Sequence, residues 1–137
     1  MKKYFLIIIL LSITIIPSIP QIFHKNSGIS QSIGKASDGK LVNGYKIPYH
    51  GNNFKYFSAV DYFIFGRCYV HSDIYKIVLD SYKDLESAYP DYKFKIMECS
   101  SRQGGKAFPH RTHQNGLSIV FMTPLKKGSI TITRFDK

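Results

Sequence analysis

The stretch from Gly104 to Val120 constrains this chain more than any other. It opens with Gly104-Gly105, turns at Pro109, and carries His110 and His113 three residues apart. Gly116 then permits a tight backbone turn. Beyond it Leu117, Ile119 and Phe121 alternate with Ser118, Val120 and Met122, the period of a strand. The pattern predicts Leu117, Ile119 and Phe121 in the core, with Ser118 and Val120 on the other face. A strand at its base would hold the loop, and with it the two histidines, in fixed positions. An H-x-x-H outside a helix is a weak signal alone, because ordinary loops carry it too.

The other end of the chain speaks to compartment. Lys2-Lys3 precede an apolar run from Phe5 to Ile16, which is the pattern of a secretory signal. Pro17-Ser18-Ile19-Pro20-Gln21 offers no A-x-A cleavage site. The apolar stretch extends to Phe23, about the length of a membrane span, so residues 1–23 read as a signal peptide or an uncleaved anchor. An exported, periplasmic or cell-envelope protein is expected, touching membrane only through that segment if it stays attached. No cysteine lies near a cleavage point, which argues against a lipoprotein anchor. Removing residues 1–23 takes away only Lys2 and Lys3 and leaves +8 of the +10 formal charge. A basic exported protein points to an anionic polymer or a membrane surface. Nucleic acid fits the charge but not the export pattern. Cys68 and Cys99 are the only cysteines; an even count in an exported chain permits one disulfide.

Residues 24–31 read as a polar linker, and 32–137 as one domain. Asn43-Gly44, Ile47-Pro48 and Gly51-Asn52-Asn53 are turn chemistry. Phe54, Tyr56, Phe57, Tyr62, Phe63, Phe65 and Tyr69 form an aromatic segment, expected in the core rather than stacked on a sugar. Ser72 or Asp73 caps a predicted helix in which Ile74, Ile77, Val78, Tyr82 and Leu85 share a face. Pro90 ends it. Lys93 to Glu98 alternates as a half-buried strand, and Glu98 closes it toward either a pocket or its rim. Thr123 to Gly128 reads as a turn and Ser129 to Phe135 as a last strand.

The run H-x-x-H-Q-x-G-L at His110 to Leu117, with Gly104-Gly105 upstream, resembles the signature of the penicillin-insensitive murein endopeptidases. These are zinc peptidases of the lysostaphin and D-alanyl-D-alanine peptidase group. Ser32-Ile33-Gly34 through Gly39-Lys40-Leu41, and Gly66-Arg67 followed by Val70-His71-Ser72, are also similar. The resemblance covers roughly residues 32 to 125, the front two-thirds of such a domain. It implies zinc as cofactor, His113 as a metal ligand with His110 beside it, and His71 and Glu98 as candidate substrate-binding residues. It implies peptidoglycan as partner, with a zinc-activated water cleaving the D-Ala–diaminopimelate cross-link.

The chain departs from the signature at one decisive place. The ligand aspartate of L-(S/D)-V-D falls on Val120, which has no lone pair to give. No H-x-H follows His113, so the C-terminal third with the last ligand and the base is expected to be missing. No residue is therefore assigned a catalytic role, and weak zinc binding without turnover is expected. The resemblance implies an α+β fold, an antiparallel sheet with one main helix, of the hedgehog and D-alanyl-D-alanine peptidase type. The alternative is a non-catalytic exported basic protein that binds cell-wall polymer.

Overall fold

A computed structural model describes residues 24–122 and the backbone of 125–127 and 130–132. The signal or anchor assigned to residues 1–23 lies outside the described residues. Among those described, no helix is long and apolar enough to cross a membrane.

The fold is α+β, with one main helix and short, mostly antiparallel strand ladders. Strands β1 (Gln31–Lys35) and β2 (Asp38–Val42) form a hairpin. Strand β3 (Tyr45–Lys46) pairs with β5 (Tyr69–Val70). Strands β4 (Phe54–Tyr56), β6 (Phe94–Glu98) and β7 (Val120–Met122) form a three-stranded sheet, with β6 central. The β4–β6 pair is parallel and β6–β7 antiparallel. The expected single antiparallel sheet is thus several small ones, and its largest contains a parallel pair. The segment read as a turn, Leu125–Lys127, is strand β8, antiparallel to β9 (Ile130–Ile132).

Helix α1 (Ser72–Ala88) is where its periodicity puts it, but its cap differs. His71 rather than Ser72 or Asp73 is the N-cap, and its Nδ1 accepts from the Asp73 N–H at 3.2 Å. The Tyr89 N–H closes the last turn on Leu85, and Pro90 cannot extend it. Val78 and Tyr82 are the fully buried residues of the helix, while Ile77 is 59% exposed. The buried stripe runs through Ile74, Val78, Tyr82 and Leu85, leaving Ile77 at its margin.

The aromatic segment is largely core, as its composition indicated. Tyr56, Tyr62 and Tyr69 are buried with Ile47, Val70 and Ile96. Tyr82 of α1 stacks on Phe54 with ring centroids 4.5 Å apart, locking helix to sheet with an offset aromatic contact. Phe57 and Phe65 remain outside. Ile119 packs against this core, but Leu117 and Phe121 do not bury as expected and are about half exposed. Leu117 and Ile119 precede β7, which begins only at Val120 and lies at the sheet edge, so the strand alternation that would bury all three side chains does not extend over them.

Residues 24–30 are tied to the domain. Asn26 exchanges two hydrogen bonds with the Lys46 backbone, Ser30 Oγ donates to the Asn43 carbonyl at 2.6 Å, and Tyr45 donates to the Gly28 carbonyl. Cys68 and Cys99 are buried free thiols.

Candidate functional site

The His110–Gly116 loop is held from three sides. The β1–β2 hairpin turn supplies the Ala36 carbonyl to the Gln114 N–H at 2.9 Å and the Ser37 carbonyl to Gln114 Nε2 at 2.8 Å. Ser32 Oγ donates to the Asn115 carbonyl at 2.6 Å. Two residues past β6, the buried Ser100 hydroxyl donates to the His113 carbonyl. At the far end, the Gly116 carbonyl accepts from His71 N–H at 2.9 Å, which joins the loop to the start of α1. Gln114 and Asn115 are buried polar residues because their amides satisfy loop carbonyls and amides that the core would otherwise strand. Sequence reading missed Ser100, Gln114 and Asn115 as supports; two adjacent amide side chains after a histidine were the available signal.

Glycine makes the closure possible. Gly104 has φ +70°, and a Cβ there would stand 2.1 Å from the Gln114 carbonyl oxygen. The neighbouring Gly105 also has positive φ, +79°, yet a Cβ would meet nothing within 4 Å. Close approach of backbone to backbone thus fixes the first glycine, and dihedral preference alone the second.

His113 is 6% exposed, has φ +72°, and its Nδ1 is buried with no hydrogen-bond partner. Leaving such an atom unpaired costs about 1–3 kcal/mol, so His113 Nδ1 is open to a ligand or a water. His110 packs edge-on against His113 with ring centroids 6.0 Å apart. Its Nε2 contacts Glu98 Oε2 at 2.6 Å, and Glu98 Oε1 accepts from Arg67 NH1 at 2.9 Å. Arg67 NH2 also donates to the Phe108 carbonyl. Glu98 therefore turns inward to the loop, held by one arginine and one histidine. Arg67 is a further residue that sequence reading left without a role.

His71, the other sequence candidate, stands apart from this group. Its Nδ1 accepts from Asp73 N–H, so the geometry assigns the proton to Nε2, which reaches the Ser30 carbonyl at 3.1 Å. Both ring nitrogens are used in capping α1 and pinning residue 30. The exposed Asp73 carboxylate, 3.6 Å from Nδ1, is a looser contact than either.

Val120 lies opposite Glu98 in the β6–β7 ladder, across a register shift between Ile96 and Glu98. Directly paired residues share a face, so a methyl-bearing side chain occupies the face from which Glu98 reaches His110. No family model matches this chain, and no curated protein matches it.

The donor set does not fit a catalytic zinc centre, which needs about three protein ligands and an open position. His113 Nδ1 is a free donor, but His110 Nε2 is engaged with Glu98 and Val120 offers nothing. Among the described residues there is no group of three His, Cys, Asp or Glu side chains that could hold a metal.

Proposed function

We propose that this chain is an exported domain similar to the penicillin-insensitive murein endopeptidases, with the hedgehog and D-alanyl-D-alanine peptidase type of fold. The reaction this implies is zinc-dependent cleavage of D-Ala–diaminopimelate cross-links in peptidoglycan. The chain itself does not turn over. The observation that carries the reading is the pairing of an orphaned, buried His113 Nδ1 with valine at position 120. A histidine is kept poised as a ligand while the neighbouring oxygen donor is lost.

The test is a zinc titration of the purified chain beside an assay on cross-linked muropeptide dimers. Substoichiometric zinc and no released monomers are expected. Val120→Asp would add a carboxylate on the Glu98 face and should tighten zinc binding by about ten-fold or more. Stoichiometric tight zinc in the unaltered chain, or release of monomers, would sink the inactivity claim. Unchanged zinc affinity in both Val120→Asp and His113→Ala would sink the site assignment.

A second reading is a non-catalytic protein that binds acidic cell-wall polymer. It draws on 19 Lys and Arg against 9 Asp and Glu. Sedimentation with purified peptidoglycan at low salt, reversed at high salt, is its expected behaviour; a chain that stays in the supernatant at low salt excludes it.

A further inference from the structure

A second concavity, of about 640 Å³, lies beside β2 and is built from different residues. Its walls carry His24, Lys25, Lys40 and Arg102, with Asn43 and Gln103 between them. No Asp or Glu among the described residues lines it. Among the described residues, Lys25, Lys40 and Arg102 take part in no ion pair. In a basic protein some lysines are merely solvated. Here cationic groups from the N-terminal segment, β2 and the loop before Gly104 converge on one hollow.

The backbone holds that convergence in place. Leu41 N–H donates to the Gln103 carbonyl at 2.9 Å, and Lys40 bridges Gly104, so the β2 wall and the Arg102 wall are fastened together. His24 Nε2 reaches the Gly44 carbonyl at 3.3 Å, which fastens the third wall. His24 rests edge-on against the Tyr69 ring at 5.1 Å. Tyr69 is fully buried, and its hydroxyl has no hydrogen-bond partner. Burial, with Arg102 next, holds the His24 imidazole below its ordinary pKa.

We propose that this concavity is a binding site for a multiply charged phosphate group. Three cationic side chains, Lys25, Lys40 and Arg102, with no Asp or Glu among the described residues beside them, exceed what a single carboxylate would neutralise, and they match the charge and several oxygens of a phosphate or diphosphate. The hollow is also larger than a lone phosphate ion, leaving room for what the phosphate is attached to. Two sources share this chemistry. A soluble phosphate ester is one. A phospholipid headgroup is the other, because His24 and Lys25 directly follow the apolar run that ends at Phe23. The site is independent of the peptidase reading and uses none of its residues. It goes beyond the polymer-binding reading by locating a subsite and naming its ligand chemistry.

The full chain, in neutral detergent at constant ionic strength, should be titrated with pyrophosphate while backbone amide NMR shifts are followed. Saturable shifts confined to Lys40, Gly44, Gln103 and their neighbours are expected, with a Kd of ~1 mM or below. Lys40→Gln with Arg102→Gln, both at exposed positions, should raise the Kd by about ten-fold or more. Lys76→Gln with Lys83→Gln, on the exposed face of α1, should leave it unchanged. The single variants provide the same readout if the double variant loses its native amide spectrum. In a parallel arm, the chain is placed in phosphatidylcholine nanodiscs with and without phosphatidic acid, whose headgroup is a phosphomonoester. Shifts at the same amides only with phosphatidic acid assign the headgroup; shifts only with pyrophosphate assign a soluble ester. Shifts spread over all basic residues, no saturation in either arm, or an affinity indifferent to Lys40 and Arg102, would overturn the proposal.

Discussion

Arg67 and Glu98 are 2.9 Å apart and both mostly buried, with side chains 13% and 15% exposed. One guanidinium nitrogen holds Glu98 while the other reaches the Phe108 carbonyl. The pair thus ties the end of β6 to the loop that carries His110.

Arg67→Ala should accordingly be costly in two ways. It strands a mostly buried carboxylate and frees the loop carbonyl. A loss of about 2 kcal/mol is expected, read as a lower urea midpoint with an unchanged slope. His110 ring resonances should shift as well, since Glu98 is then held by His110 alone. A midpoint within error of the parent would show that the pair is as weak as an exposed one.

The two adjacent loop glycines should separate steric need from dihedral preference. Gly105→Ala has open space and should cost about 1 kcal/mol for its positive φ. Gly104→Ala places a Cβ against the Gln114 carbonyl and the Leu41 amide. It should cost about 3 kcal/mol or more and disturb the His113 environment. Equal thermal shifts for the two variants would show that the loop can open at little cost.

The buried thiols should make stability fall at alkaline pH. Burial pushes the Cys68 thiol up to about 12, with Lys46 opposing, and burial likewise raises Cys99. Because the folded values are raised, the fold favours the neutral thiols. Their contribution is complete below the ordinary value of 9.0 and is lost as pH rises from there toward 12. Raising the pH from 8 to 10.5 should cost on the order of 1–2 kcal/mol for Cys68. Urea melts at the two values check this, and Cys68→Ala should flatten the difference. Thiol reagents should modify neither cysteine until the chain unfolds.

Removing the Tyr69 hydroxyl should not hurt the fold. The group is buried without a partner, so Tyr69→Phe deletes an unpaired polar atom and keeps the ring on His24. A gain of up to about 1 kcal/mol in urea melts is expected. A loss of similar size would mean that the hydroxyl has a bridging partner such as an ordered water.

Features whose cause is local could be read directly from neighbouring residues. Helix α1 follows from the 3.6-residue spacing of Ile74, Val78, Tyr82 and Leu85, and from Pro90, which has no N–H to continue it. Strand β6 follows from alternation, and the glycine-rich approach to His113 from residues that tolerate positive φ. Tertiary structure decided what depends on partners distant in the chain. Whether Leu117 or Ile119 is buried turns on the loop that carries them, since β7 begins only at Val120, which alternation alone does not encode. His71 became a helix cap because the Ser30 carbonyl and the Asp73 amide took its two nitrogens. Glu98 faces inward because Arg67, 31 residues earlier, lies within hydrogen-bond reach. The basic hollow exists only because residues 24–25, 40 and 102 meet. Local propensity is written in neighbouring residues, whereas a site is a meeting of groups far apart along the chain, brought together by the burial of everything between them.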